Sequence, residues 1–415
     1  MVDCCSAPGL MPMQDALANL LNNITPIHSV EDISITHADN RVAASETVSP
    51  INVPAHNNSA MDGYAICGDF SDGIIEAGRQ FHLVGVAMAG QPFTGQLQAG
   101  ECIRIMTGAV VPDSANAVEM QENVQINDKQ ITLNQALKPG SHIRMAGEDI
   151  AKNQPVFAAG HRFKSVDVGL LASLGVDKVS VYRKPKVAVF STGDELKSPG
   201  DTLNDGDIYE SNRHAIIAML KRVNVDIIDF GIIADDMVKI RDAFNQANEM
   251  ADAVISSGGV SVGDADYTKD VLDELGHIEF WKVAMKPGKP FAFGQLPNSV
   301  FFGLPGNPVS ATVTFHQLVV PALTKMSGAK PVKTLTLKAI TKMAIKKRPG
   351  RMDFQRGFAA VDDDGSLVVT PLSHQGSGVL SSMSKANCYI VLGQQHPGCE
   401  QGAQVDVQLF DHVLG

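Results

Sequence analysis

Carboxylates, lysines and glycines in the second half of the chain fall into a pattern that suits phosphate and divalent-cation chemistry. Glu195 sits in STGDEL, Asp235 and Asp236 follow an apolar run, and Asp264 and Asp266 close SSGGVSVGDAD. Lys282 precedes KPGKP, which holds Lys286 and Lys289, and Pro305, Asn307 and Pro308 belong to LPGNPVS. Carboxylate oxygens are the ligands that Mg²⁺ prefers, and Mg²⁺ commonly bridges substrate phosphates. Lysine supplies a point charge to an oxyanion. Gly258, Gly259 and Gly263 let backbone N–H groups approach an anion closely. A helix beginning at Pro308 offers free N–H groups and the positive end of its dipole.

Taken singly, each motif has a plainer meaning. The glycines match neither the dinucleotide-binding nor the P-loop pattern, and alone they only make a turn. Gly259-Val260-Ser261-Val262-Gly263 also matches the nucleophile elbow of a serine hydrolase. An elbow needs a helix directly behind the serine, and here Asp264-Ala265-Asp266 intervenes. Asp270, His316 and His374 are available as triad partners by residue type only. Ser261 is therefore read as a residue that positions backbone around an anion.

The elements that carry these motifs alternate. Apolar runs at Val187–Phe190, Val225–Ile233, Ala253–Ile255, Glu279–Met285 and Val300–Gly303 read as strands. Helices are expected from Ser211 or Asn212 to Arg222, over Met237–Asn248, over Thr268–Leu275, and over Val309–Leu323 with Pro308 at its first position and Asn307 as its cap. Alternating strands and helices imply a parallel, doubly wound sheet. Every motif above follows a strand, so all should line the carboxyl edge, where such sheets bind ligands.

Outside this unit the texture changes. Residues 51–147 hold short strands such as Phe81–Val86, Cys102–Met106 and Gln130–Leu133, bounded by turn residues, and read as a β-rich module. Residues 1–50 with 148–182 are expected to form a helical and linker domain, with helices at Met13–Asn22 and Ser165–Ser173, the latter capped by Ser165. Residues 183–328 are the α/β domain. Residues 329–415 read as a small all-β domain with a hairpin turn at Asp364–Gly365. Its basic run, Lys342, Lys346, Lys347, Arg348, Arg351 and Arg356, is either a solvated hairpin face or a funnel for an anionic ligand.

Composition limits the function classes. The 415 residues are 44% hydrophobic and 19% charged, which is globular. A formal net charge of -11 argues against bulk binding to nucleic acid or anionic membrane. The 6 cysteines form no CxxC pair and the 12 histidines form no HExxH, so the thiols read as reduced and structural. The start lacks a basic segment and a long apolar run, and no stretch is long enough to span a bilayer. The cytoplasm is the expected location.

NSAMDGYA (58–65), RIMTGA (104–109), STGDEL (191–196), SSGGVSVGDADYTK (256–269), KPGKPFAFG (286–294) and GLPGNPVSA (303–311) together resemble the molybdopterin molybdenumtransferases, a family that includes the C-terminal part of gephyrin. GRMDFQRG (350–357) and HQGSG (374–378) extend the resemblance into the last domain. Gephyrin's adenylyltransferase domain has no counterpart in these 415 residues.

The resemblance implies an elongated homodimer with a β-rich lid module, a doubly wound α/β pterin-binding domain and a small C-terminal β-barrel. It implies Mg²⁺-dependent hydrolysis of adenylylated molybdopterin, release of AMP, and insertion of molybdate at the dithiolate. Matched by motif, the implied catalytic residues are Asp62, Thr107, Asp149, Glu195, Asp235, Asp266, Lys282 and Lys286, with Glu195, Asp235 and Asp266 on the metal. Arg144, Pro305, Pro308, Arg356 and Ser377 are implied at the substrate. They join Gly258, Gly259, Ser261, Gly263 and Asn307 of the reading above. Asp62 and Thr107 would reach the site from the partner subunit. Contacts with the molybdopterin adenylyltransferase and with recipient molybdoenzymes are also implied. A pterin-binding scaffold without turnover is the non-enzymatic alternative, and the rim carboxylates argue against it.

Overall fold

The computed structural model describes residues 9–258, 267–331 and 334–414. Gly259, Ser261, Gly263, Asp264 and Asp266 of the glycine-rich motif lie outside the described residues. The α/β unit is built on a 6-stranded sheet in the order 226–233, 186–192, 253–257, 300–304, 290–295, 277–282. The first four strands are parallel. The last two are joined antiparallel, so the sheet expected to be parallel is mixed at one edge. The connections decide this. A parallel crossover needs about a dozen residues or more, and neither 283–289 nor 296–299 can supply them.

The strand Lys186–Thr192 shows why the unit is doubly wound. Val187 and Val189 pack with Ile216, Met219 and Leu220 of the helix Asn212–Val223. Ala188 and Phe190 face the other way, against Ile240, Phe244 and Ala247 of the helix Met237–Met250. A strand covered on both faces reads as an unbroken apolar run. Each fully buried side chain of this size contributes about 1.5–3 kcal/mol. After Thr192 the chain winds outward to 226–233, and after Ile233 it returns to 253–257 on the opposite side. The winding reverses between 186–192 and 253–257, which opens a crevice at their carboxyl ends.

The helix after LPGNP is longer than expected. It runs Pro308–Thr314, then a π turn at Phe315–Val319, then Val320–Met326. Pro321 cannot donate a backbone hydrogen bond and crowds the preceding turn, which accounts for the widened turn there.

Two local expectations are corrected. The helix Met13–Asn22, expected with 148–182, packs on the α/β core. Met13, Ala16 and Leu20 enter the α/β core beside Phe315 and Leu323, and the Met11 N–H donates to the Lys282 carbonyl at 2.9 Å. The helix Ser165–Ser173 is preceded by Lys164, not Ser165, as its cap residue. Asp167 accepts from the Lys164 N–H at 2.8 Å, and the Ser165 hydroxyl bonds Asp39 instead.

The remaining N-terminal residues form a small unit in which Val30–Ser34 pairs with Lys178–Tyr182. The lid module carries a 6-stranded sheet in the order 117–120, 63–66, 101–105, 80–87, 130–133, 124–127. The C-terminal unit is a closed barrel of 5 strands, because Met352–Val361 pairs with both Leu367–Pro371 and Cys388–Leu392. The hairpin turn at Asp364–Gly365 stands where its residue types place it.

Candidate active site at the carboxyl edge

The loops after the parallel strands converge as the motif placement requires. The Asp194 carboxylate accepts from the Asp235 N–H at 3.0 Å, which ties STGDE to the end of the neighbouring strand. Partial burial and the nearby Asp194 and Glu195 charges push the Asp235 carboxyl above its ordinary value. Asp194 touches the Asp235 backbone, and Glu195 stands near enough for its charge to act on the Asp235 carboxyl. On the other side, Gly258 has φ +93°, and a Cβ there would lie 2.8 Å from the Thr192 carbonyl oxygen. Only glycine lets the two strand ends come this close. The Gly258 N–H donates to Leu304 at 3.2 Å, which sets the third strand end beside them.

LPGNP enters the helix with Pro308 in the first turn. Asn307 occupies the cap position, yet its side chain makes no capping hydrogen bond. The Val309 N–H is taken instead by the Ser377 carbonyl of the C-terminal barrel, at 3.0 Å. Ser377 thus stands at the helix entrance through its backbone.

Arg356 does not face open solvent as a free anion ligand would. Its side chain is 1% exposed, and its guanidinium donates to the His374 and Gly376 carbonyls and to Ser382 Oγ. Gln375 clasps the Arg356 backbone from both sides, at 2.9 and 2.8 Å. In this structure Arg356 holds the HQGSG loop, and so places Ser377.

Lys282 ends the strand His277–Lys282 at the same edge as the other motifs, because that strand runs parallel to 300–304 across the antiparallel 290–295. Lys286 pairs with the buried Asp353 at 3.5 Å. Lys286, Lys346, Lys347, Arg348, Arg351 and Asp353 line a cleft of about 300 Å³ between the α/β unit and the barrel. Most of the basic run therefore gathers around one cleft. Lys342 is drawn away to Asp362, and Arg356 is buried.

The lid motifs form their own cluster. Asp62 Oδ1 accepts from both the N–H and the hydroxyl of Thr107, each at 2.7 Å. These bonds hold the Asp62 carboxyl below its ordinary value. Gly63 is required by contact: a Cβ there would lie 1.9 Å from the Glu119 carbonyl oxygen. Arg104 donates to the Gly63 carbonyl at 3.2 Å and lies 5.1 Å from the Tyr64 ring centroid. Arg144 is on a strand pair with Asn58, and the Asp149 N–H donates to Val53 at 3.1 Å. Asp62, Thr107, Arg144 and Asp149 thus all border the 53–62 segment. Among the described residues none of their side chains bonds the α/β rim.

Residues 11–175 match the MoeA N-terminal region (domain I and II), residues 188–325 a probable molybdopterin binding domain, and residues 338–410 the MoeA C-terminal region (domain IV). A molybdopterin molybdenumtransferase of Haemophilus influenzae is 43% identical over 98% of this chain and 100% of its own. The chain belongs to the molybdopterin molybdenumtransferase family. A crystal structure of the molybdopterin biosynthesis moeA protein of Pyrococcus horikoshii superposes with a TM-score of 0.83 at 29% identity, covering 97% of this chain and 100% of that one. Gephyrin of Dictyostelium discoideum is 29% identical over 98% of this chain and 63% of its own length.

Membership of the molybdenumtransferase family makes this an enzyme of molybdenum-cofactor biosynthesis. Some residues now seen at its crevice were not singled out by sequence. Asp194 stands beside Glu195, and its residue type alone does not mark it. Asn212 registered only as a helix start, and its amide nitrogen in fact bonds Ser257 Oγ and the Gly306 carbonyl, both at 2.8 Å. Glu210, 3% exposed, accepts from Ser191 Oγ and from the Arg213 N–H. The signal for Glu210 and Asn212 is their place in YESNR, at the start of a helix, but spacing alone does not say what a helix start faces.

Proposed function

We propose that this molybdenumtransferase-family enzyme inserts molybdate into adenylylated molybdopterin, with Mg²⁺-dependent release of AMP. The observation that carries the reading is the Asp194–Asp235 contact, with the Glu195 charge near it, at the carboxyl ends that also hold the Thr192–Gly258 close approach, where the sheet's winding reverses. Crowded carboxylates beside a phosphate subsite repel one another and the ligand unless a cation intervenes.

The donor set fits Mg²⁺. Its oxygens are hard ligands, and the Asp235 carboxyl is raised first by partial burial and then by the Asp194 and Glu195 charges near it. Among the described residues no group of three or more metal-binding side chains converges on one point. Glu195 and Asp235 would therefore share the ion with Asp266 and with phosphate oxygens, which suits an ion that is usually held by few carboxylates. When bound, Mg²⁺ supplies charge neutralisation at the phosphoanhydride. The chain's own residues do the rest. The carboxylates orient the attacking water, and the Pro308 helix turns the positive end of its dipole towards phosphate. Lys282 and Lys286 attract the molybdate dianion and the terminal phosphate. The dithiolate itself takes the metal, so no protein thiolate is needed. Burial keeps the Cys102 and Cys388 thiols protonated, each pushed up to about 12.

Asp62, Thr107, Arg144 and Asp149 complete the site from a second copy in a cytoplasmic homodimer. The reading is supported by their clustering around 53–62, with no side-chain hydrogen bond to the rim of their own chain among the described residues. The product passes to recipient molybdoenzymes, and the substrate arrives from the molybdopterin adenylyltransferase. The test is AMP release from adenylylated molybdopterin with molybdate and Mg²⁺ each omitted in turn. Release that is indifferent to both ions would overturn the reading.

A further inference from the structure

Three segments remote in sequence end at the crevice: the strand Ala253–Ser257, the Pro305–Asn307 loop, and the first turn of the helix Asn212–Val223. One side chain joins them. Asn212 Nδ2 donates to Ser257 Oγ and to the Gly306 carbonyl, both at 2.8 Å. A carbonyl can only accept, so the Gly306 contact settles which way the amide faces.

The helix start that carries Asn212 is itself anchored. The Arg213 N–H donates to Glu210 Oε1 at 2.6 Å, and Ser191 Oγ donates to the same oxygen at 3.1 Å. Ser191 lies just before Gly193–Glu195. A hydrogen-bonded chain thus runs from STGDE through buried Glu210 to the helix start, and Asn212 passes it on to two phosphate-side loops.

The LPGNP loop is tied at its ends, where the Leu304 carbonyl accepts from the Gly258 N–H and the Asn307 carbonyl from the Ala311 N–H. Pro305 and Pro308 have no N–H to give, and the Asn307 side chain makes no capping bond. The sheet ladder with 253–257 ends at the Ser257–Leu304 pair.

We propose that Asn212 is a positioning residue of this site. It fixes the 305–307 loop against the Ser257–Gly258 strand end, and so sets the shape of the crevice wall that meets the phosphate-bearing ligand. The inference rests on the reading that the crevice binds adenylylated molybdopterin.

The experiment uses the full chain as wild type, Asn212→Ala, Asn212→Asp and Ser257→Ala. Four quantities are measured: the Kd for adenylylated molybdopterin, single-turnover AMP release, Tm, and hydrogen-exchange protection of the 306–311 amides without ligand. Asn212→Ala should weaken binding by about tenfold, the loss expected of a hydrogen-bonded pair, with little change in Tm and faster exchange at 306–311. Ser257→Ala should be milder, because the bond to Gly306 survives. Asn212→Asp places a carboxylate against the Gly306 carbonyl and should bind worst at neutral pH. Its affinity should recover towards acid pH, where the protonated acid can donate again, and Asn212→Ala should show no such recovery.

Wild-type Kd and AMP release in both Asn212 variants would overturn the inference. So would a loss that follows Tm alone, without the acid recovery of Asn212→Asp. Failure of the wild type itself to bind adenylylated molybdopterin would overturn the functional reading instead. In that case unchanged exchange at 306–311 in Asn212→Ala would sink the positioning role too.

Discussion

Asp62 and Thr107 stand 45 residues apart in sequence and meet through two hydrogen bonds of 2.7 Å to a single carboxylate oxygen. The DGY and MTGA motifs of the lid are thereby one structural unit, with the second oxygen of Asp62 left for other partners. Thr107→Val removes the hydroxyl and keeps the backbone bond. It should cost up to about tenfold in turnover, in line with one hydrogen bond of about 0.5–1.5 kcal/mol. Asp62→Asn should cost more. Heterodimers made from an Asp62→Asn chain and a Glu195→Gln chain should regain activity through one intact site, because each damaged residue then falls in the same composite site. Verified heterodimers as inactive as the parent homodimers would count against shared sites.

The crowding at Asp235 makes a prediction of opposite sign for stability and activity. Its carboxyl is raised in the folded protein by partial burial and by Asp194 and Glu195. Ionising it at neutral pH therefore costs the folded state. That cost is fully present above the raised value and fades as pH falls to the ordinary carboxylate value of about 3.9. Asp235→Asn should raise Tm at pH 7 to 8, lose that advantage near pH 4, and release AMP far more slowly than wild type. Mg²⁺ should raise the Tm of wild type more than that of the variant. A variant that melts lower than wild type at pH 8 contradicts the electrostatic account.

For Asp266→Asn the prediction concerns binding against turnover. Removing one repulsive charge should leave substrate affinity intact or improved, while single-turnover AMP release falls steeply at limiting Mg²⁺. Near-wild-type release under those conditions would remove Asp266 from the metal site.

Arg356 should behave as a scaffold for the HQGSG loop. Arg356→Ala leaves the His374 and Gly376 carbonyls without their donor and should destabilise the chain by about 1–3 kcal/mol. Urea unfolding measures this directly. Activity should fall through displacement of Ser377 from the Pro308 helix. Arg356→Lys should recover part of the stability. An alanine variant of unchanged stability would show that the guanidinium is not holding the loop.

The buried thiols give a chemical check on the compact units. Burial pushes Cys102 and Cys388 up to about 12, so neither carries appreciable thiolate at pH 8. Iodoacetamide should leave both unmodified in the native protein and modify both after denaturation, as peptide mass spectrometry would record. Rapid native labelling of Cys102 would mean that the lid sheet opens.

Much of this molecule was legible without coordinates because it depends on neighbours along the chain. Val187–Phe190 reads as a strand buried on both faces, Pro308 as a helix start and Asp364–Gly365 as a hairpin turn, and each stands where its residue types put it. The motifs sit after strands, so their shared edge followed from the alternation of strands and helices, and their identity as a family signature needs no geometry at all. What sequence could not decide is which of these loops touch. The Asp194–Asp235 contact spans 41 residues, and it exists because two parallel strands are neighbours in a strand order that no local propensity encodes. The helix Met13–Asn22 shows its apolar face in sequence, but only packing reveals that this face belongs to the α/β core. Arg356 looks the same as a ligand or as a buried strut, since a guanidinium suits either, and its surroundings choose. Short-range chemistry set the elements and the reactive groups of this protein. Their convergence was settled by long-range packing, which buries apolar faces together and thereby selects the polar side chains that meet at the rim.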